Sequence, residues 1–305
     1  MVGELQQKRV LTHRMYLLQM QYIDNMGSAS PELYPEILPP AGSPEPHIPP
    51  PPQPERRPRS NWSVAPATHV LVAVNCMVFL AMLAGHVGLW SPSPEDLLHW
   101  GANNAGAVLF YGEWWRIVTA MFVHVGILHL ATNMWCLWNL GMLAEPLLGS
   151  WGVVAAYILS GAAGNLLSTF VNQWFDRPQP GFVGLFGPVG AGASGAVFGL
   201  AGVLIILLKS SLLPIPQSEL KGLRRSVITF AAINLAIGLG TMIPGSVVRI
   251  DNMAHMGGFA CGLLFAMPLV PRIGAPRQQF LLRRRIAIGM MVIFETLFGF
   301  YLAQF

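Results

Sequence analysis

Three stretches of this chain, Ile117–Ala144, Pro146–Phe175 and Pro178–Leu208, contain no Asp, Glu, Lys or Arg. A helix needs only about 20 mostly apolar residues to cross the hydrocarbon of a bilayer, so each run can supply a span. Charged residues make up 10% of the 305 positions and hydrophobic ones 53%, whereas a soluble domain carries roughly 25% charge. The chain is therefore predicted to be an all-α, polytopic membrane helical bundle. Seven spans are predicted, at about 67–88, 125–146, 151–172, 193–210, 226–244, 251–271 and 284–303.

The charges that remain are unevenly placed. Lys8, Arg9, Arg14, Arg56, Arg57 and Arg59, with six of the fourteen acids, lie in the first sixty residues, and twelve prolines fall between Pro31 and Pro58. Proline at that density prevents regular helix or sheet, so residues 1–60 are predicted to form a separate, solvated tail. Its start shows no apolar h-region of a secretory signal peptide. Counting Lys and Arg in alternate loops gives fifteen on the side of the tail and three, Arg116, Arg177 and Arg249, on the other. Cations favour cytoplasmic loops, which places the tail in the cytoplasm and the C-terminus outside. The net charge of +4 then reflects topology and calls for no nucleic acid, because the cations flank spans and do not line one face. Cys76, Cys136 and Cys261 fall in three separate apolar segments, as packing residues would, with no disulfide framework or zinc spacing. The connection 89–121 mixes Trp100, Tyr111, Trp114 and Trp115 with Glu95, Asp96 and Glu113, the composition of a segment lying in the membrane interface.

Polar groups within hydrocarbon are costly and mark function by default. With the orientation above, the second span carries His124, His129 and Asn133 in its outer half, the fourth begins at Ser194, and the sixth holds His255 about one turn in. They share a depth, which predicts one site. Ser194 stands at the start of a helix after a glycine-rich approach that includes Gly184, Gly187, Gly190 and Gly192. Unpaired N–H groups at a helix start can hold an oxyanion, so a serine there suits a nucleophile. Imidazole is the usual base for such a hydroxyl, and His255 is the candidate. The pairs Gly195/Gly199 and Gly258/Gly262 form GxxxG faces that let two helices touch. His129 and Asn133 are four apart, on one helical face, and both can donate hydrogen bonds. His124 is about 140° round the helix from His129, so it is expected to face elsewhere in a structural role. A serine among small residues also permits close packing, and a buried histidine can be a packing group; the residues by themselves leave both readings open.

Taken in order, Trp115-Arg116, His124-Val125-Gly126 followed by His129-Leu130-Ala131-Thr132-Asn133-Met134, then Gly192-Ala193-Ser194-Gly195, then Ala254-His255-Met256-Gly257-Gly258 closely resemble the rhomboid family of intramembrane serine proteases. The resemblance runs from about residue 67 to 271 and leaves the tail and the seventh span outside. It implies a six-helix protease core over residues 61–271, followed by a basic loop and an additional transmembrane helix over 272–305. It implies a dyad, with Ser194 as nucleophile and His255 as general base. His129 and Asn133, with the Ser194 backbone N–H, would stabilise the oxyanion, supported by Gly192 and by Phe198, whose ring is expected against that of His255. Trp115 and Arg116 match a loop motif that is mainly structural. The six-plus-one layout implies a bacterial inner membrane protein with a cytoplasmic N-terminus. The implied partners are transmembrane protein substrates and the lipid bilayer; no cofactor, metal or nucleotide is implied.

Other patterns carry less. Gly190-Ala191-Gly192-Ala193-Ser194-Gly195 satisfies GxGxxG, but no βαβ unit surrounds it and the next acid, Glu219, lies beyond the following span. No HExxH is present, so a metalloprotease has no support in the sequence. Asp251, four residues before His255, is read as an interfacial residue and not as the acid of a triad. A transporter would show internal repeats and broken helices at the midplane, which are not evident here. A proteolytically inactive, client-binding relative would keep the fold and lose the serine or the histidine, and both are present. Glu295, inside the seventh span, is left without a role.

Overall fold

The computed structural model describes residues 65–175, 187–210, 213, 216–240, 250–272 and 277–304. The proline-rich tail lies outside them, as do Gly184 and the loop cations Arg177 and Arg249. Among the described residues the regular elements are helices: α1 (Pro66–Ala84), α2 (Pro94–His99), α3 (Ala105–Leu109), α4 (Arg116–Thr119), α5 (Ile127–Leu148), α6 (Ser150–Phe175), α7 (Ser194–Leu207), α8 (Gln217–Gly240), α9 (Asn252–Ala266), a 3-10 turn (Met267–Arg272) and α10 (Arg277–Leu302). Four helical stretches there are long and apolar enough to cross a membrane: Pro66–Ala84, Ser150–Trp174, Asn252–Val270 and Arg277–Leu302. The chain is an all-α, polytopic membrane bundle. Helix α5 dilutes its apolar content with His129, Asn133, Asn139 and Glu145, and α8 with Glu219, Lys221, Arg224 and Arg225.

Helix α7 is the axis of the bundle. It is only 14 residues long, and Gly195 to Leu204 together with Leu207 are all buried, as expected of a helix that is apolar on every side. Helices α6 and α9 pack along it and against each other. The α7–α9 contact is made by backbone: a Cβ on Gly258 would collide with the Gly195 carbonyl, and one on Gly262 with the Gly199 carbonyl. Only glycine allows two helices to approach so closely. The sequence's GxxxG reading thus describes the central joint of the fold.

Two helices begin earlier than their apolar runs. Helix α8 starts at Gln217 and α10 at Arg277, so Lys221, Arg224, Arg225, Arg283, Arg284 and Arg285 ride on helices and not in loops. Apolar composition marks where hydrocarbon begins, whereas a helix keeps its backbone hydrogen bonds beyond that border. At this basic end, Arg284 Nη1 donates to the Leu148 carbonyl at 2.7 Å and closes the last turn of α5. Arg283 donates to the Pro268 carbonyl at 3.2 Å.

The connection between α1 and α5 folds as the three short helices α2, α3 and α4, with Trp90, Phe110, Tyr111 and Trp115 exposed. Arg116 staples it internally: Nε donates to Glu113 at 2.6 Å, and Nη1 donates to the carbonyls of Leu98 at 2.6 Å and Ala102 at 3.0 Å. Its structural role matches expectation.

One buried acid beside the charge-free run organises the basic end. Glu145 is 3% exposed and accepts from the N–H groups of Ala67 (2.9 Å) and Thr68 (2.8 Å), from the Thr68 hydroxyl (2.7 Å) and from the Ser150 hydroxyl (2.6 Å). A carboxylate at the N-terminus of α1 satisfies orphan donors and complements the helix dipole. It also joins α1, α5 and α6 at one point. Glu145→Ala should lower the unfolding free energy in detergent micelles by about 2–3 kcal/mol, since it strands several buried donors at once. A change under about 0.5 kcal/mol, the size of an ordinary surface effect, would show that these bonds contribute nothing net.

Candidate active site

The segment before α7 is sewn to the rest of the molecule at the end of the bundle opposite the arginines. Asn103 and Gly190 exchange backbone hydrogen bonds at 2.7 and 2.8 Å, and the Gly192 N–H donates to the Ala120 carbonyl at 2.9 Å. Gly192 has φ +128°, a left-handed value that L side chains resist. A Cβ there would lie 2.5 Å from His129 Cε1 and 3.0 Å from Nε2. The chain must carry glycine at this point for the His129 ring to sit beside the residues that lead into Ser194.

Ser194 is the first residue of α7 and is half-buried. Helical geometry leaves the N–H groups of such a first turn without intrahelical acceptors. Its neighbour Gly195 runs against the backbone of Ala254, where a Cβ would meet the Ala254 carbonyl at 3.2 Å. The residues next to Ser194 and next to His255 are therefore in backbone contact. His255 is buried in the first turn of α9, and the Phe198 ring stacks on it with centroids 4.3 Å apart and planes inclined by 13°. Phe198 is one turn after Ser194 on α7, so the ring of one helix covers the imidazole of the other.

Hydrogen-bond partners fix the tautomers of the other two imidazoles. His129 Nδ1 accepts from the Val125 N–H at 3.3 Å, so the proton of the neutral ring is on Nε2, the nitrogen that lies beside Gly192. That nitrogen is a donor beside the segment that leads into α7. Asn133 is buried, and one N–H of its amide donates to the His129 carbonyl at 2.9 Å; its second N–H has no place in that bond.

His124 differs from expectation. Helix α5 begins only at Ile127, after Gly126 with φ +90°, so the helical angle between positions 124 and 129 does not apply. The His124 ring stands 5.4 Å from that of His129 and is fully buried. Its Nε2 accepts from the Ala193 N–H at 3.4 Å, and its Nδ1, which then carries the proton, donates to the Phe122 carbonyl at 3.2 Å. The role is structural, as expected, but it is exercised on the residue directly before Ser194.

Asp251 caps α9: Oδ1 accepts from the Ala254 N–H at 2.9 Å, and Oδ2 accepts a short hydrogen bond from the Ser168 hydroxyl of α6. Among the described residues His255 Nδ1 has no hydrogen-bond partner, so Asp251 does not hold the imidazole as the acid of a triad would. Ser168 belongs to a polar stripe on α6, Asn165, Ser168, Thr169, Asn172 and Gln173, whose spacing is helical. Asn165 donates to the Ile117 carbonyl at 2.9 Å, and Thr169 exchanges hydrogen bonds with Asn103 at 3.2 and 3.3 Å. This stripe is the scaffold that motif reading missed, and its periodicity inside a charge-free run was the available signal. No cluster of His, Cys, Asp or Glu among the described residues could hold a metal ion.

A half-buried serine at a helix start, an imidazole stacked on a glycine-packed neighbouring helix and a second imidazole beside Gly192 are thus gathered at one end of the membrane bundle. The Rhomboid domain family matches residues 111–272, and the chain belongs to the rhomboid family. It is 30% identical over 228 residues to "Rhomboid protease GluP" of Bacillus subtilis, covering 73% of this chain and 39% of that protein. It is 31% identical over 182 residues to "RHOMBOID-like protein 7" of Arabidopsis thaliana, covering 60% of this chain and 51% of that protein. It is 29% identical over 211 residues to "Rhomboid protease AarA" of Providencia stuartii, covering 67% of this chain and 72% of that protein. The chain thus spans about half or less of the first two relatives.

Two substitutions test the geometry. Gly192→Ala should displace the His129 ring and lower any hydrolytic rate by roughly 10²-fold or more, the usual size for loss of an oxyanion donor; wild-type activity would show the ring contact to be unimportant. Asp251→Asn keeps an N-capping oxygen and should hold activity within about tenfold, whereas loss of a triad acid costs about 10⁴-fold. Steady-state cleavage rates distinguish the two.

Proposed function

We propose that the protein is an intramembrane serine endopeptidase that cleaves transmembrane segments of substrate proteins near the outer membrane face. The observation that carries this reading is the Phe198–His255 stack at 4.3 Å, one turn from Ser194 on a helix whose approach is braced by His124 and His129. Ser194 attacks the scissile carbonyl while His255 accepts the hydroxyl proton, giving a tetrahedral intermediate. The oxyanion is held by the Ser194 backbone N–H, by Nε2–H of His129 and by the free N–H of Asn133. His255 then gives the proton to the leaving amine as the C–N bond breaks, which leaves the acyl-enzyme. Water entering from the polar end, deprotonated by His255, attacks the acyl group, and His255 returns that proton to the Ser194 oxygen as the acid is released. That His255 Nδ1 has no partner among the described residues favours a dyad. A helical substrate is fully hydrogen-bonded within the bilayer, so the bond to be cut must unwind first, which selects small or helix-breaking residues.

On this reading residues 61–271 are the six-helix protease core, residues 1–60 a cytoplasmic tail, and residues 272–305 a basic loop with a seventh span. The layout and the arginine-rich end fit a bacterial inner membrane with the N-terminus inside. Both Ser194 and His255 are retained, which argues against the inactive client-binding alternative. The test is cleavage of a single-span substrate in proteoliposomes. Ser194→Ala and His255→Ala should each lose at least about 10³-fold in rate, as loss of a nucleophile or base does; undiminished cleavage by either would overturn the dyad.

A further inference from the structure

Away from the site, two polar side chains meet inside the bundle. Glu295 of α10 is 8% exposed, and its Oε1 accepts from the Cys261 thiol of α9 with S and O 3.7 Å apart. A carboxyl group within a span is costly and calls for a function. The rest of the inward face of α10 is apolar, with Ala287, Met291 and Leu302 buried.

What the pair does follows from the other contacts of α9. Against α7 the joint is backbone on backbone, with Gly258 and Gly262 seated on the carbonyls of Gly195 and Gly199. Such a face permits close approach, but it lacks the interlocking ridges that fix the register of ordinary helix pairs. His255 depends on that register. Its Nδ1 has no partner among the described residues, and its contact with Phe198 is a near-parallel stack, which tolerates sliding in the plane of the rings. Asp251 pins the first turn of α9 to Ser168. Cys261 lies six residues after His255, about 120° round the helix, and meets α10 at Glu295.

We propose that Glu295 is a positioning residue for the protease reaction: by accepting the Cys261 hydrogen bond, α10 fixes the rotation of α9 and with it the reach of His255 towards Ser194. The proposal rests on the protease reading of the site. Leucine in place of Glu295 removes a costly intramembrane carboxyl and strands only the weak thiol donor of Cys261, so folding and positioning are separable. In proteoliposomes carrying the single-span substrate, Glu295→Leu should lower kcat about fivefold at unchanged KM and melting temperature, while Glu295→Gln, which keeps an oxygen acceptor, should stay within about twofold, these being the sizes expected for losing and keeping one hydrogen bond. In a Cys76→Ala/Cys136→Ala background, the infrared S–H stretching band should move to higher frequency in Glu295→Leu and hold in Glu295→Gln. An unchanged kcat, a kcat that falls only in step with the melting temperature, or an unmoved S–H band in an active protein overturns the proposal alone. A wild type that does not cleave overturns the protease reading and the proposal with it, and the S–H band then reports separately whether the pair exists.

Discussion

Helices α7 and α9 touch through bare backbone at Gly195, Gly199, Gly258 and Gly262, and everything else at the site is arranged around that joint. Any side chain there would push the helices apart and carry His255 away from the turn that begins with Ser194. Close approach also explains why the helices flanking the joint are pinned from outside. The glycine face supplies proximity, and polar contacts made elsewhere, Asp251 with Ser168 and Cys261 with Glu295, supply register.

The loop before α7 follows a similar logic. It is held by Asn103, by the Ala120 carbonyl and by His124, and glycine at position 192 lets the His129 ring lie against it. Each of those partners comes from the long connection or the start of α5, so that connection is a frame for the candidate site. Arg116, bonded to Glu113 and to two carbonyls, keeps that frame rigid at a distance. At the opposite end Glu145 and Arg284 close helix termini, leaving the bundle tied at both ends.

Much of this was legible in the sequence because its signals are periodic or local. Charge-free runs located the bundle, GxxxG spacing located the joint, and the order of the serine and histidine motifs named the family. Helix limits were less legible where apolar composition stops before the helix does, as at Gln217 and Arg277. His124 was misplaced because Gly126 breaks the helix on which its angle was reckoned. Glu145 could not be read at all: its backbone partners lie 77 and 78 residues away, and a cap supplied by another helix leaves no local pattern. The α6 stripe from Asn165 to Gln173 was readable as a face, but only packing shows that it meets Asp251, Asn103 and Ile117.

On the proposed mechanism Ser194 is made nucleophilic by His255 across the glycine joint. Its most direct test is to treat the folded protein in proteoliposomes with a serine-reactive phosphonate and to locate the adduct by mass spectrometry, in the wild type and in His255→Ala. A single adduct on Ser194 is expected to form in the wild type and to be lost in the variant. An adduct on a different serine, or equal labelling of Ser194 without His255, would contradict it.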